Sequence, residues 1–225
     1  MGGNQCGILM LSSVVLPGGE QRRRTSTDQL QMRELFEEGD VVSAEIQNFF
    51  HDGTTALHTR SVKYGKLTNG QLIIIPNVLM RRLKQQFMTL PCGVQVLFGL
   101  NGYVWITMLE KDEDIYTKET RALTAEQVEA RRKAHDQRSL NRTERLTLCR
   151  VANALRMLRD HFVGIRPGRV TALFDASIDM GLAPKDMLKA EYAVDLMDRL
   201  ERANRNTRGA RSGSLVDDDD SDSDV

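Results

Sequence analysis

Apolar residues recur every second position through most of the first half of the chain and every three to four positions through much of the second. The first spacing belongs to strands with one buried face, the second to helices with one buried stripe. Ile8 to Val15 is rich in branched residues, is bounded by Gly7 and Pro17-Gly18-Gly19, and predicts a strand. In Asp40–Phe50, Val42, Ala44, Ile46 and Asn48 alternate with Val41, Ser43, Glu45 and Gln47, which predicts a second strand with one mostly apolar face. His51-Asp52-Gly53 is a hairpin turn, and Thr54–Thr59 is the returning strand. Between the first two strands, Leu30, Leu35 and Phe36 predict a short helix over Thr27–Glu38, capped by Thr25 or Ser26 and ended by Gly39.

After a loop over Tyr64–Gly70, the run Leu72–Ile75 predicts a buried strand that Pro76 stops. Asn77 then caps an expected helix over Val78–Phe87, with Leu79, Leu83 and Phe87 on one stripe and Arg81, Arg82 and Lys84 off it. Val94–Phe98 and Tyr103–Ile106 are two more strands, joined by Gly99-Leu100-Asn101-Gly102. From Thr124 the pattern is helical, opening on a Thr124/Gln127 capping box. The very polar segment Arg131–Arg145 reads either as an exposed helix or as a mobile arm. Leu148, Val151, Ala152, Leu155, Leu158 and Phe162 form an apolar stripe that Gly164 ends. A helix from Pro167 to about Gly181 and a last one over Met187–Arg202 follow. From Asn204 the composition predicts a disordered tail, ending in alternating Asp and Ser.

Charge changes the picture locally. The chain balances 31 basic against 31 acidic residues, yet no acid stands between Asp52 and Glu110. Arg60, Lys63, Lys66, Arg81, Arg82 and Lys84 all fall in that window. A one-signed window on a neutral chain fits a surface facing a polyanion, or else a solvated basic linker. Single-stranded nucleic acid also needs aromatic platforms, for which Tyr64, Phe49, Phe50 and Tyr103 are the candidates; Trp105 reads as core.

Other chemistry finds little support. The apolar start, Ile8–Leu16, lacks the basic flank of a signal peptide, and no apolar run is long enough to span a membrane, so the chain reads as intracellular. Cys6, Cys92 and Cys149 are scattered and read as reduced thiols, and the four histidines form no ligand-spaced pair, so no metal or cofactor is expected. A metal nuclease needs clustered carboxylates, which the acid-free window lacks and a flexible Asp tail cannot hold in place. No catalytic residue is assigned.

Gly99-Leu100-Asn101-Gly102 is the sharpest local motif. KH modules use Gly-x-x-Gly to bring backbone close to phosphates, which only glycine permits. In their RNA-clamping form the loop joins two helices, whereas here it joins two predicted strands, so a plain β-turn remains the alternative. Four stretches taken together carry a family resemblance: Leu16-Pro17-Gly18-Gly19-Glu20 with Arg22-Arg23-Arg24, Glu38–Glu45, His58–Leu67, and Leu90–Gly93 through Gly99–Ile106. In this order they resemble the ribosomal RNA-processing protein four family, the S1/KH-type cap subunits of the eukaryotic RNA exosome. The match is close over residues 8 to 106 and looser over the helices.

The resemblance implies an α+β chain. A partial S1 module of the oligonucleotide-binding (OB) fold, lacking its first strands, is expected at 1–60, a KH-like domain with C-terminal helices at 61–203, and a disordered acidic tail at 204–225. It implies a non-catalytic RNA-binding subunit that guides RNA into a 3′→5′ exoribonuclease complex for rRNA processing and RNA degradation. The implied partners are RNase PH-like ring subunits, other cap subunits and single-stranded RNA, with no membrane, in nucleus, nucleolus and cytoplasm. A stand-alone S1/KH single-strand binder is the alternative. The candidate RNA contacts are Arg60, Lys63, Tyr64, Lys66, Arg81, Arg82, Lys84, Gly99, Asn101 and Gly102. Because an OB barrel normally has five strands, a module with three strand candidates should leave the apolar face of Asp40–Phe50 partly uncovered.

Overall fold

The computed structural model describes residues 7–14, 25–30, 32–60, 64–108 and 125–213. The chain divides into two compact units. One comprises 1–70 with 109–139, the other 71–108 with 140–225. The division falls at Gly70 rather than near residue 60, and the segment after the last strand of the second unit returns to the first.

The first unit holds a three-stranded sheet in the order β1-β4-β3. Strand β1 (Gly7–Val14) lies parallel to β4 (Thr55–Thr59), with Ile8 opposite Ala56, and β3 (Glu45–Phe49) pairs antiparallel with β4. The hairpin between β3 and β4 forms where Asp-Gly predicts it: Asp52 Oδ1 accepts from Thr54 N at 3.0 Å and from Thr54 Oγ1 at 2.6 Å. A second pair joins β2 (Val42–Ser43) to β5 (Gly65–Lys66), with Val42 opposite Lys66. Of the predicted helix over Thr27–Glu38, Ser26–Leu30 (α1) and Met32–Leu35 (α2) are helical, residue 31 between them lies outside the described residues, and Leu30 lies exposed. Thr25 does open α1, its N–H donating to Asp28 Oδ2 at 2.8 Å.

Every residue of β3 is exposed, with Ile46 at 52% and Phe49 at 67%; Ile8, Met10 and Phe50 are exposed as well. Helix α3 (Ala125–Gln137) belongs to this unit. Asn69 donates to the carbonyls of His135 (2.8 Å) and Arg138 (3.1 Å) near its C-terminal end, and the Thr68 hydroxyl donates to Asp136. Thr124 lies outside the described residues.

The second unit is a four-stranded sheet in the order β6-β9-β8-β7, packed against helices. Its strands are β6 (Gly70–Ile74), β7 (Phe87–Thr89), β8 (Val94–Phe98) and β9 (Tyr103–Met108). Val94, Val96, Val104 and Ile106 are wholly buried, as period-two alternation requires of a sheet with one covered face. Helix α4 (Arg142–Asp160) packs on β8 and β9 through Leu148, Val151, Ala152, Leu155 and Leu158. It opens on a reciprocal capping box, Asn141 with Glu144. With α3 ending at Gln137, the polar stretch Arg131–Arg145 is helical apart from residues 138–141. Helix α5 (Pro167–Asp179) packs against α4 and against α6 (Ala190–Gly213). Helix α6 continues past Asn204, where composition predicts loss of order. Residues 214–225, with the acidic run, lie outside the described residues.

The predicted helix over Val78–Phe87 does not form. Asn77–Leu79 is a single 3-10 turn, and Phe87 belongs to β7. Leu79 and Leu83 still pack against the core, but from the 3-10 turn and from the irregular chain after it, while Val78 is 88% exposed. The backbone groups here go to distant partners: Leu79 O accepts from Ile165 N at 2.8 Å, and Gln86 O accepts from Phe98 N at 3.0 Å. These long-range bonds satisfy the chain without a helical ladder.

Candidate nucleic-acid interface

The acid-free window is acid-free only along the chain. Pairing of β2 with β5 carries Lys66 to Asp40, at 2.9 Å from Nζ to Oδ2. Asp40 also accepts from Glu37 N at 2.8 Å. That backbone bond and the Lys66 hydrogen bond hold the Asp40 carboxyl below its usual value. The bond to Asp40 raises Lys66 in turn, and Glu37 and Asp136 add to it through space. Lys66 is thus a neutralised ammonium among carboxylates rather than a free phosphate contact. Tyr64 is buried at 8% exposure and presents little of its ring to solvent. Arg60 is exposed at the end of β4 and has no acidic partner among the described residues. Lys63 lies outside the described residues.

In the second unit, Arg81, Arg82 and Lys84 are exposed on the irregular segment between the 3-10 turn and β7. None of the three pairs with an acid among the described residues. This segment lies beside the chain that follows α4, because Met80 bridges Ile165 in parallel. The six cations that read as one window therefore belong to two units, with Arg60, Lys63 and Lys66 in the first.

The Gly99–Gly102 loop is a tight β-turn between β8 and β9. Gly99 N donates to Tyr103 O at 2.9 Å, Gly102 N to Gly99 O at 3.1 Å, and Asn101 Oδ1 accepts from Tyr103 N at 3.1 Å. Gly102 adopts φ +90°, and a Cβ there would stand 2.0 Å from the Ile75 carbonyl oxygen. Its own carbonyl accepts from Ile75 N at 2.8 Å. Close approach is required of Gly102, but by the backbone after β6. The structure thus supplies the plain-turn alternative with a full account. Tyr103, half exposed at the foot of the turn, remains the aromatic beside it.

Among the described residues no group of three His, Cys, Asp or Glu side chains could hold a metal ion, and no helix is long and apolar enough to cross a membrane. Cys92 and Cys149 are free, and burial raises the Cys92 thiol.

A family model for the RRP4 S1 domain matches residues 1–48, and one for a KH domain matches residues 70–111. The chain is 35% identical over 178 residues to the exosome complex component rrp4 of Schizosaccharomyces pombe, covering 79% of this chain and 54% of that protein. It is 34% identical over 210 residues to the RRP4 homolog of Arabidopsis thaliana, covering 91% and 64%. This chain belongs to the RRP4 family. The RRP4 component of Mus musculus is 52% identical over 109 residues, 48% of this chain and 37% of that protein. The chain thus spans about half the length of these relatives. Within the RRP4 frame, the S1 match ends inside β3, and the KH match begins at the unit boundary and takes in all of β6 to β9, the glycine turn included.

Phe162 falls on the apolar stripe by spacing, but α4 ends at Asp160, and Phe162 stands 79% exposed at φ +55°. Gly164 marks the end of the stripe, yet the helix stops four residues before it.

Proposed function

We propose that this chain is a non-catalytic RNA-binding cap subunit of the RNA exosome. In this role it guides RNA toward a 3′→5′ exoribonuclease complex for rRNA processing and RNA degradation. The observation that carries the reading is the ordered pair of matches, an RRP4 S1 domain then a KH domain, in a chain resembling exosome components over most of its length. Arg60 in one unit and Arg81, Arg82 and Lys84 in the other, exposed and without an acidic partner among the described residues, support contact with a polyanion. Lys63 joins them by sequence alone. Tyr64, buried, and Lys66, paired with Asp40 at the surface, would support the first unit, and Gly99, Asn101 and Gly102 would shape the turn. The implied partners are RNase PH-like ring proteins and other cap proteins, in nucleus, nucleolus and cytoplasm.

The test is affinity purification of the native protein, with its partners identified and RNA binding measured on the same material. Co-purification with ring proteins, RNA binding, and no RNA shortening by the chain alone in Mg²⁺ are expected. Recovery alone with full RNA binding would favour the stand-alone S1/KH binder. Cleavage that follows the chain through purification and disappears on a point mutation would overturn the non-catalytic reading.

A further inference from the structure

We infer that the turn after α4, with the arginine segment packed beside it, is a second single-strand RNA contact, in which Phe162 stacks on a base and Arg81 and Arg166 take the flanking phosphates. The inference rests on the RNA-binding reading above but joins Arg81 of the acid-free window to a place and two residues outside it, Phe162 and Arg166.

The argument starts from two unfavourable features at one residue. Phe162 N donates to Arg159 O at 3.1 Å and Val163 N to Leu158 O at 2.8 Å, a helix-ending turn that needs a left-handed residue at Phe162. Glycine fits that position without penalty, whereas a bulky side chain at φ +55° is an outlier. Burial does not compensate, because the ring is 79% exposed. A strained aromatic that is mostly exposed contributes little to the fold, and such positions gather at functional sites.

The surroundings then identify the partner. Ile165 N donates to Leu79 O, and Met80 bridges Ile165, which brings residues 79–82 alongside 163–166. A Cβ on Gly164 would lie 3.5 Å from Arg169 Nη1 and 3.7 Å from Arg81 Nε, so both guanidinium groups converge two residues from Phe162. Arg169 is tied to the turn, donating to Gly164 O at 2.6 Å. Arg166, Arg81 and Arg82 are exposed and unpaired among the described residues. The nearest acid in sequence, Asp160, is taken by Arg159 at 2.8 Å. An exposed ring set among unpaired cations is the composition that holds single strands, with bases on the aromatic face and phosphates on the charges. A protein anchor would instead seek a ring of excluded water around it, and the exposed neighbours His161 and Arg166 do not supply one.

The experiment uses the full chain and a fluorescein-labelled twelve-nucleotide oligouridylate, titrated across a salt series, with an abasic strand of equal length as comparison. Phe162→Gly keeps the left-handed turn and removes only the ring. It should leave the urea midpoint of Trp105 fluorescence equal or higher, and weaken oligouridylate binding by about fivefold or more. Binding of the abasic strand should not change. Phe162→Asn, which also tolerates the left-handed region, should behave alike. Arg81→Gln combined with Arg166→Gln should flatten the salt slope by about 1.4. If the unaltered chain binds and these variants bind equally well, this contact is wrong and the RNA-binding reading stands. If the unaltered chain does not bind at all, both fail. Unchanged RNA binding with lost association to ring proteins would make the turn a protein contact and overturn the proposal.

Discussion

Gly102→Ala tests whether the glycine turn is built for the fold. The added methyl faces two costs that can be separated. Holding a non-glycine residue at φ +90° costs about 1–2 kcal/mol. The methyl would also stand 2.0 Å from the Ile75 carbonyl oxygen, which is backbone and cannot swing away as a side chain could. Relief requires moving the 75–77 segment off the turn and breaking the 2.8 Å bond from Ile75 N to Gly102 O. Ile75 is buried, so leaving that donor unsatisfied costs about 1–3 kcal/mol more. A total loss of about 2–5 kcal/mol is expected, against a domain stability of about 5–15 kcal/mol. Gly93→Ala is the control: its φ of +81° is similar, but the added Cβ meets only Met108 Sδ at 3.8 Å. It should lose the backbone cost alone, about 1–2 kcal/mol. The single tryptophan, Trp105, lies on β9 and reports unfolding of the second unit selectively. With a urea slope of about 1–3 kcal/mol/M, the Gly102→Ala midpoint should fall clearly below that of Gly93→Ala. Equal midpoints would show that the turn tolerates a side chain, and the assignment of its glycine to packing on Ile75 would be wrong.

Three further outcomes are expected. Asp40 is held below its unfolded value, so its contribution is full above about pH 4 and is lost as pH falls through the folded value; Lys66 is raised, so its contribution is full below about pH 10.4 and is lost as pH rises through its folded value. Asp40→Asn should therefore flatten the acid dependence of protection at the Leu67 amide, which donates to Val41 O, and an unchanged acid limb would refute the pairing's role. Amides of β3 should exchange much faster than those of β8 and β9, since β3 is exposed throughout and β8 is mostly buried; equal protection would show that the three-stranded sheet is self-sufficient. Asn141→Ala removes the side-chain half of the α4 capping box and should cost about 1 kcal/mol by the Trp105 assay, with no change counting against the box as a stabiliser.

Where a prediction rested on side-chain period over several residues, it carried through to the structure. The strands β1, β4, β8 and β9, the Asp-Gly hairpin, α4 and α5 all lie where apolar spacing and turn residues put them, because burial of one face is enforced along each element by its own residues. The stripe Leu79, Leu83, Phe87 shows how that logic fails. Its residues are apolar for good reason, and Leu79 and Leu83 reach the core. Three positions do not distinguish a helix from an irregular chain that touches the core at intervals, and the long-range bonds to Ile165 and Phe98 decide for the latter.

Charge was the least legible property. Arg60, Lys63, Lys66, Arg81, Arg82 and Lys84 are neighbours in a string without acids, and the string could not say which would stay unpaired. Coulomb interaction depends on distance in space, and folding set Asp40 against Lys66 while leaving Arg81 and Arg82 exposed, with no acidic partner among the described residues. Folding also buried Tyr64 and left Phe162 exposed. Composition, periodicity and the ordered motifs thus determined by themselves the α+β class, most of the elements and the family resemblance, since these depend on neighbours along the chain. Which cations are free, which aromatic is accessible, and why Gly102 must be glycine were decided only by the tertiary structure, since each depends on a residue far away in sequence.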